Sequence, residues 1–203
     1  MIQTPDPRPL LAAIGRRFYD RGWMWATAGN LSARADAESF WITQSGVSKG
    51  CLTADHFVRV RLDDGLVLES PDPAARPSAE VAIHQAIYQT GGTQVGACLH
   101  GHSVEAILAS RGRDPVVLPQ VEMIKALGIW DDGTPAAIPV FANHADVAAI
   151  GQAVGTFLRD HPRPLPALIV RDHGVTAWGV GLTEALRHFE AAEFLLTLIA
   201  RGY

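Results

Sequence analysis

Residues 95–103 read VGACLHGHS, an apolar run that ends in two histidines and a serine. The run predicts a short buried strand over residues 95–99, followed by a helix that Ser103 caps. Strand and helix patterns alternate in both directions from it, and Asp64-Gly65 predicts a hairpin turn. The sequence therefore predicts an α/β domain in which an antiparallel or mixed sheet carries helices on its faces.

The length of 203 residues predicts a single domain over residues 1–203. Apolar residues make up 48% of the chain and charged residues 19%, a balance that argues against a disordered chain and against a membrane protein. The formal net charge of −4 argues against nucleic-acid and membrane partners. Two cysteines form no disulfide framework and the first residues show no secretory signal, so we expect a cytoplasmic protein.

Hydrophobic period and capping signals place the remaining elements. Helices are predicted over residues 10–22, 78–90, 146–159 and 183–201, with Ser78 capping the second and Thr183 the last. Strands are predicted over residues 39–43, 58–62, 66–68, 137–141, 167–170 and 175–178. His84 and His188 lie in predicted helices, where we expect His84 to pack and His188 to face solvent.

Three histidines are candidate metal ligands. His100 and His102 are two residues apart, and in a strand this spacing puts both imidazoles on one face. His173 lies in a polar turn between two apolar strands, at the rim of the sheet. Three histidines leave a fourth position for water or substrate, as in catalytic zinc sites. Alternatively, His100 and His102 are a structural pair and His173 only supports its turn. Cys98 could also bind the metal, but more simply it packs as a small apolar residue below the site.

Two glycine-containing loops are candidate phosphate sites. Gly29-Asn30 and Ser45-Gly46 each offer backbone N–H groups and short polar side chains at a strand end, and Lys49 adds a positive charge. Neither loop matches a P-loop or a dinucleotide-binding fingerprint, and the alternative for each is an ordinary turn.

Two carboxylates compete for acid/base chemistry. Glu122 stands among apolar neighbours, where burial would raise its pKa into the range useful for a general base, and its alternative is an ion pair with Lys125. Glu80 stands near a helix start, where the helix dipole favours its ionised form, and its alternative is helix capping.

Seven ordered motifs together resemble the class II aldolase/adducin family, and most closely its methylthioribulose-1-phosphate dehydratase branch. The resemblance covers nearly the whole chain. The motifs are residues 27–32 (TAGNLS), 42–50 (ITQSGVSKG), 76–84 (RPSAEVAIH), 98–103 (CLHGHS), 121–128 (VEMIKALG), 139–147 (PVFANHADV) and 171–179 (RDHGVTAWG).

The resemblance implies a three-layer α/β/α fold with a mostly antiparallel central sheet, one zinc ion per subunit and a fourfold homotetramer. It assigns His100, His102 and His173 as zinc ligands. It assigns the phosphate of the substrate to Gly29, Asn30, Ser45 and Gly46.

The resemblance makes Glu122, in the EMIK segment, the base of the dehydratase branch, whereas family aldolases use the glutamate that corresponds to Glu80. Two departures stand out, because Gly101 and Ala79 occupy positions where the family often has hydroxylated residues.

The implied reaction is the zinc-dependent dehydration of 5-methylthioribulose 1-phosphate to 5-methylthio-2,3-dioxopentyl phosphate and water, in methionine salvage. The alternatives are a sugar-phosphate aldolase or 4-epimerase that forms a zinc-stabilised enediolate, a non-catalytic scaffold like the adducin head, and a zinc hydrolase.

Overall fold

The computed structural model describes residues 5–131 and 133–203. The helices are α1 (Arg8–Asp20), α2 (Val81–Gly91), α3 (Val104–Ser110), α4 (Val147–Asp160) and α5 (Leu182–Ala200). The strands are β1 (Asn30–Arg34), β2 (Ser39–Thr43), β3 (Phe57–Arg61), β4 (Val67–Glu69), β5 (Ala97–Gly101), β6 (Val116–Val117), β7 (Ala137–Ile138), β8 (Val140–Phe141), β9 (Ala167–Val170) and β10 (Gly174–Gly179). Short 3-10 helices cover Lys49–Cys51, Ala54–His56, Gly92–Gln94 and Glu122–Leu127.

The central sheet of the described chain has eight strands in the order β4-β3-β2-β1-β5-β10-β9-β8. Every neighbouring pair is antiparallel except β8 and β9, which are parallel. β6 and β7 form a separate two-stranded sheet. The predicted mostly antiparallel sheet is confirmed.

Helices cover both faces of this sheet, because its strands alternate apolar side chains between two cores. In β5, Ala97 and Leu99 join the core under α1, α3 and α5, whereas Cys98 joins the core under α2 and α4. Cys98 is thus a buried apolar contact, as the simpler interpretation predicts. The second core includes Ile83, Ile87, Ile150, Val154, Leu158, Leu168, Val170 and Trp178. The three-layer α/β/α prediction is confirmed.

The prediction of one strand over residues 137–141 is wrong. Ile138 pairs with β6, whereas Val140 pairs with β9, so the segment divides between the two sheets. Pro139 lies at the division, and proline has no N–H with which to continue a ladder. Only the carbonyl of Pro139 joins the main sheet, where it accepts a hydrogen bond from the backbone N–H of Ile169.

Of the three predicted helix caps, one is confirmed. Ser103 accepts a hydrogen bond from the Ala106 N–H at 3.0 Å. α2 begins one residue after Glu80 and α5 begins after Gly181, and neither helix has a side-chain cap. Ser78 and Thr183 are therefore not the caps of these helices.

The prediction that His188 faces solvent is also wrong. This side chain is buried, and its Nδ1 lies 2.6 Å from the carbonyl oxygen of Trp178. α5 packs against β10, α3 and the 3-10 helix Glu122–Leu127, so a large part of its circumference is covered.

The candidate ligands lie where the three central strands end, on one side of the molecule. His100 on β5 pairs with Asn30 on β1 and with Thr176 on β10. Among the described residues, no helix has the length and apolar character needed to span a membrane.

Candidate metal centre

Four side chains converge at the end of the central strands. His100 and His102 come from the end of β5, and His173 comes from the turn between β9 and β10. Glu80 precedes the first residue of α2. One donor atom from each lies within 4.8 Å of every other, so these four residues could hold a metal ion. The structure thus brings the three candidate histidines together.

The local backbone explains how His173 reaches the cluster. Asp172, the residue before it, has a φ of +53°. Aspartate tolerates this left-handed conformation better than most residues because its short polar side chain bonds locally. The sharp turn aims His173 across the end of β10 at His102.

The donor atoms lie at distances that suit a small cation. The His102 Nε2 atom lies 2.9 Å from the His100 Nε2 atom and 3.1 Å from the His173 Nε2 atom. The His173 Nε2 atom lies 2.7 Å from an oxygen of Glu80. Three imidazole nitrogens and a carboxylate oxygen are ligands that zinc prefers. Lone pairs crowded this closely repel one another unless a cation lies between them, so the residues present fit a zinc ion.

Neighbouring groups prepare the histidines as ligands. The His100 Nδ1 atom lies 2.8 Å from the hydroxyl oxygen of Thr176. When Nδ1–H donates to this hydroxyl, Nε2 keeps its lone pair for a metal. Burial lowers the pKa of His100 to about 4 and that of His102 to about 3, so both are neutral at pH 7, as metal ligands must be.

Glu80 belongs to the cluster instead of capping its helix. Its side chain makes no cap hydrogen bond, and its second oxygen lies 3.2 Å from the His100 Nε2 atom. Burial opposes ionisation of Glu80, but His100 and the other two histidines outweigh it and lower the pKa of the carboxyl well below its usual value. The sequence suggested an acid/base group or a helix cap for Glu80, so its place in the donor set is a finding of the structure.

The two predicted phosphate loops both lie at strand ends, but one is exposed and the other is buried. Ser45 and Gly46 are exposed, and a side chain at Gly46 would meet open space. Gly29 is buried with a φ of +77°, and a Cβ there would lie 2.9 Å from the His100 carbonyl oxygen, so this position requires glycine. The Asn30 amide is occupied within the protein, since it bonds Glu80 and His84.

Lys49 joins the two loops. Its side chain is 2% exposed, and Nζ donates to the carbonyl oxygens of Thr27 at 2.7 Å and Val47 at 2.8 Å. Burial lowers the pKa of this ammonium to about 8. Lys49 therefore links the two loops from a buried position.

The expected burial of Glu122 is wrong. Its side chain is 85% exposed, and Lys125 Nζ donates to both of its oxygens at 2.9 and 3.1 Å. The tight 3-10 turn directs Ile124 and Leu127 into the core and leaves Glu122 outside. Glu122 is not one of the four residues that converge at the cluster.

Comparisons with known proteins agree with this geometry. Residues 9–199 match the family described as Class II Aldolase and Adducin N-terminal domain. The chain is 46% identical over 200 residues to the methylthioribulose-1-phosphate dehydratase of Microcystis aeruginosa, covering 98% of this chain and 97% of the relative. It is 38% identical over 200 residues to the protein of that name from Leptospira biflexa, covering 94% and 95%.

Among solved structures, the L-fuculose-1-phosphate aldolase of Thermus thermophilus superposes with a TM-score of 0.72. That alignment covers 94% of both chains at 26% identity. On the family match and the full-length relatives, the chain belongs to the class II aldolase and adducin family.

Proposed function

We propose that this protein is a zinc-dependent methylthioribulose-1-phosphate dehydratase, a lyase of methionine salvage. It converts 5-methylthioribulose 1-phosphate to 5-methylthio-2,3-dioxopentyl phosphate and water. The observation that carries the proposal is the partly buried cluster of three histidines and a glutamate, in a chain whose full-length relatives bear that name. The free cysteines, Cys51 and Cys98, suit a reducing cytoplasm.

His100, His102 and His173 would hold the zinc ion, and Glu80 completes the donor set. A bound zinc ion would act as a Lewis acid on the substrate oxygens next to C3, and would thereby make the C3–H bond more acidic. Thr176 keeps His100 in the ligating tautomer, and burial keeps His100 and His102 unprotonated.

Gly29, Asn30, Ser45 and Gly46 form the proposed phosphate site. The two loops meet over Lys49, so the phosphate would be held by backbone N–H groups with one ammonium beneath them. The Asn30 side chain contributes indirectly, because its amide is already bonded to Glu80 and His84.

Glu122 is the proposed general base. It takes the C3 proton and gives a proton to the C4 hydroxyl, which leaves as water. The resulting C3 enol then ketonises, its hydroxyl proton moving to C4, so atoms and charges balance in the diketone. The Glu122 carboxylate is exposed to solvent. It can act in a site that excludes water only if another protein surface covers it.

A homotetramer supplies that covering surface. The 3-10 helix of Glu122 and the helix α3 both pack on α5, and all three elements carry exposed apolar side chains. Such surfaces on soluble proteins commonly mark contacts between subunits. We assign Glu122 to the metal centre of a neighbouring subunit. The exposed side chains are Val104, Leu108, Met123 and Phe194, with Trp130 just after the 3-10 helix.

The first experiment measures turnover of 5-methylthioribulose 1-phosphate by protein that holds one zinc ion per subunit, through the ultraviolet absorbance of the diketone. We expect turnover in the wild type and its loss in Glu122→Gln with zinc retained. Turnover that survives Glu122→Gln would move the base to Glu80, and an inactive zinc-bound wild type would refute the dehydratase.

A complementation experiment tests the shared site. Glu122→Gln and His102→Ala are each expected to be inactive alone. If neighbouring subunits build each site, co-refolded random tetramers regain about a quarter of wild-type activity. Mixed tetramers that stay inactive would place Glu122 outside a shared site.

A sugar-phosphate aldolase or 4-epimerase is the second candidate. It is favoured by the position of Glu80 among the histidines, since family aldolases use the corresponding glutamate. Turnover of sugar phosphates by the same zinc-loaded protein, with no dehydration product, would establish it.

A further inference from the structure

A chain of buried polar side chains leads away from the metal centre into the core between the sheet and α2. Asn30, Ser32, His84 and Tyr88 are all buried, although none of them belongs to the donor set. Polar groups this deep must satisfy one another, because water does not reach them.

The hydrogen bonds run without a break from Glu80 to Tyr88. Asn30 Nδ2 donates to Glu80, and the His84 Nε2 atom lies 2.5 Å from Asn30 Oδ1. The Ser32 hydroxyl oxygen lies 2.6 Å from His84 Nδ1 and 2.7 Å from the Tyr88 hydroxyl.

The chemistry of the first member fixes the direction of every bond. An ionised carboxylate only accepts hydrogen bonds, so Asn30 must turn its NH₂ group to Glu80 and its oxygen to His84. His84 must then carry its hydrogen on Nε2, and Nδ1 must accept from the Ser32 hydroxyl. The Tyr88 hydroxyl in turn donates to Ser32. One arrangement of hydrogens therefore satisfies all five groups.

His84 suits this role because it stays neutral. Burial lowers the pKa of His84 to about 4, so at pH 7 it carries a single ring hydrogen. A neutral imidazole with one donor and one acceptor is what the chain requires.

We propose that His84 is a positioning residue for the metal centre: by fixing the Asn30 amide, it aims a donor at Glu80 and holds that carboxylate against the three histidines. The inference rests on the proposed metal site. Without the Nε2–H donor, the Asn30 amide is free to rotate, and Glu80 loses the hydrogen bond that orients it. Groups that orient ligands in this way typically change metal affinity or activity by about 10- to 100-fold when they are removed.

The test compares His84→Leu, which removes the donor, with His84→Gln, which keeps an N–H at a similar reach. His188→Leu is the matched control, because His188 is also buried but bonds a backbone carbonyl at the far end of β10. Each variant is titrated with Co²⁺ against a chelator, and the visible spectrum of the Co²⁺ form reports the ligand geometry.

We expect His84→Leu to bind Co²⁺ about 10- to 100-fold more weakly than wild type with an altered spectrum. His84→Gln should recover part of both, and His188→Leu should match wild type. Tyr88→Phe should change affinity less than threefold, because the Ser32 hydroxyl still donates to His84. If His84→Leu does not fold, Asn30→Asp provides the same test, since it replaces the donor to Glu80 with an acceptor of the same size.

The outcomes separate this inference from the proposed function. A wild type that fails to bind one Co²⁺ per subunit overturns the proposed metal site. In a second outcome, the wild type binds Co²⁺ while His84→Leu keeps the wild-type affinity and spectrum. That result overturns the role of His84 alone, and the same holds for Asn30→Asp where that variant is the test. Equal losses in His84→Leu and His188→Leu also overturn it, because they would reflect general loosening of the core.

Discussion

Replacing Glu193 by glutamine should make the stability of the protein less dependent on pH. Glu193 lies on α5 with 1% of its surface exposed, and neither side-chain oxygen has a hydrogen-bond partner within the described part of the chain. Burial raises the pKa of this carboxyl to about 8, an effect that the nearby Ser103 hydroxyl only partly offsets. At neutral pH the folded protein therefore keeps a proton there that the unfolded chain releases.

The sign and size of the effect follow from this difference in bound protons. The pKa of Glu193 is raised in the folded state. The protein therefore loses stability as the pH rises from 4.5, the ordinary pKa of a glutamate, to about 8, the pKa in the folded protein. The loss is about 1.4 kcal/mol per pH unit, or about 3 kcal/mol between pH 5.5 and 7.5. Glutamine has the same shape and binds no proton. Relative to wild type, Glu193→Gln should thus gain about 3 kcal/mol over that interval.

Urea unfolding of both proteins at pH 5.5 and pH 7.5 measures this gain. The protein concentration is held constant, because subunit association contributes to apparent stability. Glu38→Gln is the control, since this exposed glutamate lies in the turn between β1 and β2 and its substitution should leave stability within about 0.5 kcal/mol of wild type at both pH values. A Glu193→Gln gain of equal size at both pH values would refute the reasoning.

Three further substitutions test the supports of the site. Gly29→Ala places a Cβ 2.9 Å from the His100 carbonyl oxygen at a φ of +77°, and urea unfolding should show a loss of about 1–3 kcal/mol. Thr176→Val removes the acceptor for His100 Nδ1–H and should weaken zinc binding about 10- to 100-fold in chelator competition; unchanged affinity would contradict this role. Lys49→Met removes the hydrogen bonds that link the two loops. We expect KM to rise more than kcat falls and inhibition by inorganic phosphate to weaken. An unchanged KM would show that the loops hold phosphate without Lys49.

Local patterns in the sequence were sufficient to put His100 and His102 on one face and to place helices on the faces of the sheet. The two-residue spacing of His100 and His102 determines their shared face once residues 97–101 form a strand. Alternation along the strands likewise predicts two cores and therefore two helical layers. Both features depend on neighbours in sequence.

Features that depend on strand pairing were missed. Thr176 supports His100 only because β10 pairs with β5 in this register, and Asn30 reaches Glu80 only because β1 lies on the other side. His84 was predicted to pack, which is right about its burial but misses its hydrogen bonds, since their partners lie more than 50 residues away. A single sequence does not specify such pairings.

The burial of Glu122 was mispredicted for a different reason. Apolar neighbours in sequence suggested an apolar environment, but successive residues of a 3-10 turn point in different directions. The sequence does contain the alternative, because Lys125 lies three residues later, at the spacing of an ion pair.

The identity of the product tests the central claim most directly. Protein with one zinc ion per subunit is incubated with 5-methylthioribulose 1-phosphate, and the phosphorylated products are identified by phosphorus NMR and mass spectrometry. The account predicts one product, 5-methylthio-2,3-dioxopentyl phosphate, formed with loss of water. Dihydroxyacetone phosphate together with methylthioacetaldehyde would contradict it, because those fragments arise from cleavage of the C3–C4 bond and would identify an aldolase.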